Sequence, residues 1–232
     1  MSPKGRPEGE YRSAKHGGSP VSERPQSLGE EIANSLSHGL GFVAAVASAP
    51  VLILTTAQHG RPVNVIGASI FAATMVLLYF ASMIYHAVPH QRAKTMLRKL
   101  DHGAIFLLIA GTYTPFMLGA LNGPFGWTLL GLVWSLAAVG VTLKAFDRIK
   151  HPVASLGLYL LMGWLCVVAI GPLLERVPAQ GLLLLAAGGG AYMAGVAFFA
   201  TDSRLRYGHF IWHLFVLAGT GCHFFAVLGY AA

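Results

Sequence analysis

Residues 63–88 read VNVIGASIFAATMVLLYFASMIYHAV, a run without a single Asp, Glu, Lys or Arg. A helix needs about 20 consecutive apolar residues to cross a bilayer, because the hydrocarbon core offers no water to charged groups or to unpaired backbone. This segment therefore predicts a membrane-spanning helix. Comparable apolar segments occupy the rest of the chain, at 33–57, 101–121, 125–145, 152–172, 179–200 and 208–230.

The composition points to the same class of protein. Of the 232 residues, 55% are hydrophobic and only 11% are charged, whereas a soluble domain carries roughly 25% charged residues. We therefore expect an all-α integral membrane protein, a seven-transmembrane helix bundle in which residues 27–232 form one domain. Residues 1–26 are rich in Pro, Gly, Ser and charge, which predicts a disordered cytosolic tail. Ser27 and Glu30 have the spacing of a capping box that opens the first span.

The basic residues predict the orientation of the bundle. All but two of the sixteen Lys and Arg residues fall in the tail or in the second, fourth and sixth connections between spans; the exceptions are Arg61 and Arg176. Cytosolic loops are enriched in Lys and Arg, so the N-terminus is expected in the cytosol and the C-terminus outside. The same distribution explains the net charge of +7 without a nucleic-acid partner. Nothing in the sequence indicates an oligomeric state.

Five polar side chains fall at one level of this predicted bundle. The end of span 2 and the beginnings of spans 3 and 7 all lie on the cytosolic side, where they carry Ser82, His86, Asp101, His209 and His213. Residues four apart share a helix face, so Ser82 lies beside His86 and His209 beside His213. Ionisable groups inside a membrane are costly and commonly mark a functional site.

The chemistry of this set suggests a zinc site. Three neutral imidazoles bind Zn²⁺ and leave a fourth position open, so His86, His209 and His213 are the predicted ligands. Asp101 could activate a water, and Ser82 could hydrogen-bond that water, Asp101 or a substrate carbonyl, which together favour hydrolysis of a lipid-like substrate. The residues alone leave one alternative open, a hydrogen-bonded cluster that holds three helices together.

Other polar side chains are interpreted structurally. His102 follows Asp101 but points about 100° away on a helix, which favours packing. His223 is expected to be buried and internally hydrogen-bonded. Asn34 and His38, one turn apart at the start of span 1, could support the site, but the favoured interpretation is a pair at the membrane interface.

Several motifs carry a family resemblance. The chain resembles the bacterial hemolysin III proteins of the progestin and adipoQ receptor family, which are related more distantly to alkaline ceramidases. The similarity runs from about residue 28 to the C-terminus and rests on EEIANSLSHG at 30–39, SMIYH at 82–86, LDH at 100–102, GTYTP at 111–115 and GHFIWH at 208–213.

The resemblance implies seven helices, a cytosolic N-terminus, a bacterial inner membrane and a zinc ion near the cytosolic face. Its three histidine ligands fall on His86, His209 and His213, its acidic residue on Asp101 and its serine on Ser82. The leading hypothesis is a zinc-dependent, ceramidase-like hydrolase of a lipid amide or ester that influences membrane lipid homeostasis. The alternatives are a receptor-like regulator with structural zinc and a pore-forming haemolysin.

Overall fold

A computed structural model describes residues 24–149 and 152–231, with the side chain of Pro152 left out of the description. The predicted tail, residues 1–26, lies outside the described residues except for its last three. Within the described ranges every regular element is helical, which confirms the all-α class. The elements are α1 (Leu28–His59), α2 (Pro62–Ala87), α3 (Gln91–Leu118), α4 (Pro124–Ala145), α5 (Pro152–Trp164), a 3₁₀ helix (Leu165–Ala169), α6 (Ile170–Arg176), α7 (Ala179–Thr201) and α8 (Gly208–Tyr230).

Six described segments are long and apolar enough to cross a membrane, and the chain is an integral membrane protein. They are α1, α2, α4, Val153–Arg176, α7 and α8. The segment expected as the third span, 101–121, corresponds to the second half of α3. This helix begins at Gln91, ten residues earlier than expected, because Arg and Lys, which dominate residues 92–99, are good helix formers. Helix α3 is not among the six.

The fifth predicted span is interrupted. The segment 152–172 was expected to be one helix, but α5 ends at Trp164 and a 3₁₀ helix precedes α6. The interruption comes directly before Pro172. A proline ring clashes with the carbonyl four residues earlier, here that of Val168, and lacks the N–H that would bond to it.

The beginning of α1 is tied to the beginning of α8. The predicted capping box is present: the Ser27 hydroxyl accepts the Glu30 N–H, and the Glu30 carboxylate accepts the Ser27 N–H at 2.9 Å. Glu30 is buried, and it also accepts bonds from Arg24 and from the backbone N–H of Tyr207, the residue just before α8. One carboxylate therefore fixes the relative position of two helices that meet at the site.

Helix α1 is wedged between α2 and α8. At Gly41 an added Cβ would lie 2.7 Å from the side chain of Leu217 on α8 and 2.8 Å from that of Tyr79 on α2. Small residues allow such close approach between membrane helices. The middle of α1 thereby lies close against both α2 and α8.

Candidate metal centre

The structure brings the three predicted ligands together. His86 lies in the last turn of α2, and His209 and His213 lie in the first two turns of α8. Ring centroids are 5.2 Å apart for His86 and His209, 5.1 Å for His86 and His213, and 4.7 Å for His209 and His213. Each imidazole offers one nitrogen within 4.8 Å of the other two. This is an arrangement that could hold a metal ion.

Two of these imidazoles are anchored by carboxylates. The Nδ1 of His86 lies 2.8 Å from Oε2 of Glu31 on α1, and the Nδ1 of His209 lies 3.0 Å from Oδ2 of Asp202 at the end of α7. An ionised carboxylate only accepts hydrogen bonds, so both Nδ1 atoms carry the hydrogen. In the neutral form of each ring, the lone pair is then on Nε2.

The third imidazole, that of His213, also donates its Nδ1–H, but to neutral partners. The Nδ1 of His213 lies 3.1 Å from the Ser37 hydroxyl and 3.3 Å from the Asn34 carbonyl oxygen. Ser37 donates its own hydrogen to that carbonyl at 2.9 Å, so its oxygen accepts from His213. All three Nδ1 atoms are thus used, and the nitrogen that each ring offers to a metal is Nε2. The Nε2 of His86 is buried without a hydrogen-bond partner among the described residues.

Asp101 and Ser82 adjoin the triad. Asp101 is buried in α3, near the Ser82 hydroxyl and within electrostatic range of His209. Ser82 lies one turn before His86 and is only 1% exposed. Its Oγ makes no well-aligned hydrogen bond in the part of the chain that the structure describes, and the acceptor that lies near it is the Asp101 carboxylate.

Acidic groups dominate the surroundings of the triad. Glu31 and Asp202 bond to the imidazoles, and Asp101 lies within electrostatic range of His209. Lys94, near the start of α3, offsets part of this charge through a 2.6 Å bond to Oε1 of Glu31. The excess of carboxylates favours a cation at this position.

The prediction for Asn34 and His38 was wrong. Both side chains are buried, at 0% and 3% exposure, because α1 is enclosed by α2 and α8. The His38 ring stacks on His213 with centroids 3.5 Å apart and planes 8° apart. Within the described residues, neither ring nitrogen of His38 has a hydrogen-bond partner, nor does Oδ1 of Asn34.

Sequence reasoning also missed Glu31 and Asp202. A signal for Glu31 was present: Glu31, Asn34 and His38 follow the spacing of one helix face, which marks a polar stripe on an otherwise apolar span. Asp202 carries no comparable pattern because it lies at the end of a helix, in a polar connection. The expectation for His223 is confirmed, since it is buried and its Nδ1 lies 2.7 Å from the Gly219 carbonyl oxygen.

Comparisons with known proteins cover nearly all of the described chain. A family model described as Haemolysin-III related matches residues 26–224. The chain is 43% identical over 205 residues to Hemolysin-3 of Bacillus cereus, covering 88% of this chain and 93% of the relative. It is 41% identical over 204 residues to the Hemolysin-3 homolog of Bacillus subtilis, covering 88% and 95%. A more distant relative, human Monocyte to macrophage differentiation factor, is 27% identical over 208 residues, covering 87% and 84%.

Proposed function

Because this chain belongs to the haemolysin-III-related family, we propose that it is a membrane zinc protein that hydrolyses an amide or ester bond of a lipid. One observation carries the proposal: three imidazoles with their Nδ1 atoms all bonded converge beside a buried carboxylate. A cluster that served only to join helices would not need to leave a buried Nε2 without a partner.

The donor set suits zinc. Structural zinc sites are usually closed by four protein ligands, whereas catalytic sites use three and keep one position open. His86, His209 and His213 are three ligands of the kind that Zn²⁺ prefers. Ligating imidazoles generally donate their other N–H to a carboxylate or a carbonyl. Here His86 and His209 donate to carboxylates, and His213 donates to a hydroxyl.

The protein's own groups divide the work of hydrolysis. When bound, zinc supplies a Lewis acid that polarises the scissile carbonyl and makes water more acidic. Asp101 accepts a proton from the attacking water and delivers it to the leaving amine or alcohol. The water oxygen bonds to the carbonyl carbon while the C–N or C–O bond breaks. Ser82, buried one turn before His86, donates a hydrogen bond to the substrate carbonyl oxygen or to Asp101.

The proposal includes a topology. The apolar second half of α3 crosses the membrane between α2 and α4, which makes seven spans with the N-terminus in the cytosol and the C-terminus outside. The distribution of Lys and Arg supports this orientation, and the two bacterial relatives favour a bacterial plasma membrane. The site then lies near the cytosolic leaflet, where a lipid substrate enters sideways from the bilayer.

The test is lipid turnover by purified protein in liposomes that contain both amide-linked and ester-linked lipids and a trapped dye. We expect release of fatty acid that stops on chelation and returns on addition of zinc, because the reaction needs the Lewis acid that zinc supplies. Mass spectrometry of the lipids provides the measurement. No release from any lipid by zinc-loaded protein would contradict the hydrolase.

The same liposomes test the second candidate function, pore formation, which the name Hemolysin-3 of two relatives favours. Dye escape without lipid hydrolysis would support a pore. A zinc-loaded protein that neither hydrolyses lipid nor releases dye would instead support a receptor-like regulator in which zinc is structural.

A further inference from the structure

We infer that Glu31, on a helix that supplies no ligand, is a positioning residue for metal binding by His86. The inference rests on the zinc site of the proposed function and extends it to α1. Of the described helices, α2 and α8 carry the three imidazoles, while α1 holds partners of two of them: Glu31 for His86, and Ser37 with the Asn34 carbonyl for His213.

Both oxygens of Glu31 are engaged. Oε2 accepts the Nδ1–H of His86 at 2.8 Å, and Oε1 accepts from Nζ of Lys94 at 2.6 Å. A carboxylate bonded at both oxygens cannot rotate freely, so it holds the plane of the imidazole and keeps the hydrogen on Nδ1. The pairing also makes His86 a more basic ligand. Lys94 in turn lies 5.2 Å from the centre of the Tyr85 ring, next to His86 in the chain.

The neighbouring carboxylate has a separate role. Glu30 bonds to Arg24, to Ser27 and to the backbone of Tyr207, and none of its recorded bonds reaches an imidazole of the triad. Consecutive helical residues point about 100° apart, which explains why the two adjacent glutamates contact different partners. Glu30 joins α1 to the start of α8, whereas Glu31 orients a ligand.

Replacement of Glu31 by Gln is expected to weaken zinc binding by about 10–100-fold, the usual effect of losing such a partner. The amide oxygen of Gln still accepts the Nδ1–H, so the melting temperature of zinc-free protein should stay near that of the wild type. Competition with a fluorescent chelator measures the zinc dissociation constant in detergent. Asp147→Asn is the matched control, because Asp147 pairs with Lys99 of the same helix α3 at an exposed position.

Cobalt provides a readout that a purely structural role would not change. In Co²⁺-loaded protein the visible absorption reports the ligand field, and Glu31→Gln should shift it while Asp147→Asn should not. Lys94→Met, which keeps Glu31 but frees one of its oxygens, should weaken zinc binding less than Glu31→Gln does. It replaces Glu31→Gln as the test variant if Glu31→Gln does not fold.

The outcomes are distinguishable. Wild-type zinc affinity and an unshifted cobalt spectrum in Glu31→Gln would overturn the positioning role and leave the proposed function standing. The absence of zinc binding by folded wild-type protein would overturn both. Weaker zinc binding together with a lower zinc-free melting temperature would mean that Glu31 supports the fold, and would also count against the inference.

Discussion

Asp101→Asn is expected to slow lipid hydrolysis by about 10²–10⁴-fold, the usual contribution of a general acid–base group, while zinc remains bound. Asn has nearly the same shape as Asp but cannot accept and return a proton. Asp101 is buried near Ser82, and the amide of similar shape can occupy the same space. Turnover is measured in liposomes at equal zinc loading, so that loss of metal does not imitate loss of catalysis.

The control for this prediction is again Asp147→Asn, an identical chemical change in an exposed ion pair with Lys99. It should hydrolyse lipid at the wild-type rate. Hydrolysis by Asp101→Asn at the wild-type rate would remove Asp101 from the mechanism, even if the three imidazoles still bound zinc.

His213→Ala is expected to abolish the stabilisation that zinc gives to the wild type. A ligand that binds only the folded state at 1,000 times its dissociation constant adds about 4.1 kcal/mol, and a site reduced to two imidazoles loses most of that. His213 is 1% exposed and bonded to Ser37, so the substitution also leaves a cavity and lowers stability without zinc. The informative measurement is the difference between melting temperatures with and without zinc.

His223→Ala separates these two effects. His223 is on the same helix, buried, and bonded to the carbonyl of Gly219. Its loss should lower the melting temperature as a cavity does, yet leave the zinc-dependent increase intact. An equal zinc-dependent increase in wild type, His213→Ala and His223→Ala would place the metal elsewhere.

The parts of the fold that depend on local pattern could be predicted from the sequence. A long apolar run such as 63–88 has no stable alternative to a membrane helix. The alternation of basic connections predicts that the end of α2 and the start of α8 lie at one level, and the structure brings His86 and His213 together there. The capping box at Ser27 was readable for the same reason, since its partners are only three residues apart.

The parts that depend on packing between distant helices could not be predicted in this way. The burial of His38 follows from the enclosure of α1 by α2 and α8. The polar stripe that His38 shares with Glu31 and Asn34 does not indicate which helices pack against it. The bond from Glu31 to His86 joins residues 55 apart in the chain. The interruption at Leu165–Ala169 had a readable cause in Pro172, but membrane helices often tolerate proline, as α1 does at Pro50.

The central claim is that His86, His209 and His213 hold one zinc ion, and metal content tests it most directly. Elemental mass spectrometry of detergent-purified protein should find about one zinc per chain in the wild type and little in His86→Ala or His209→Ala. His38→Ala, which removes the imidazole stacked on His213 but no predicted ligand, should retain the metal. Folded wild-type protein without zinc, even after incubation with the ion, would contradict the account and leave the three imidazoles as a polar contact between helices.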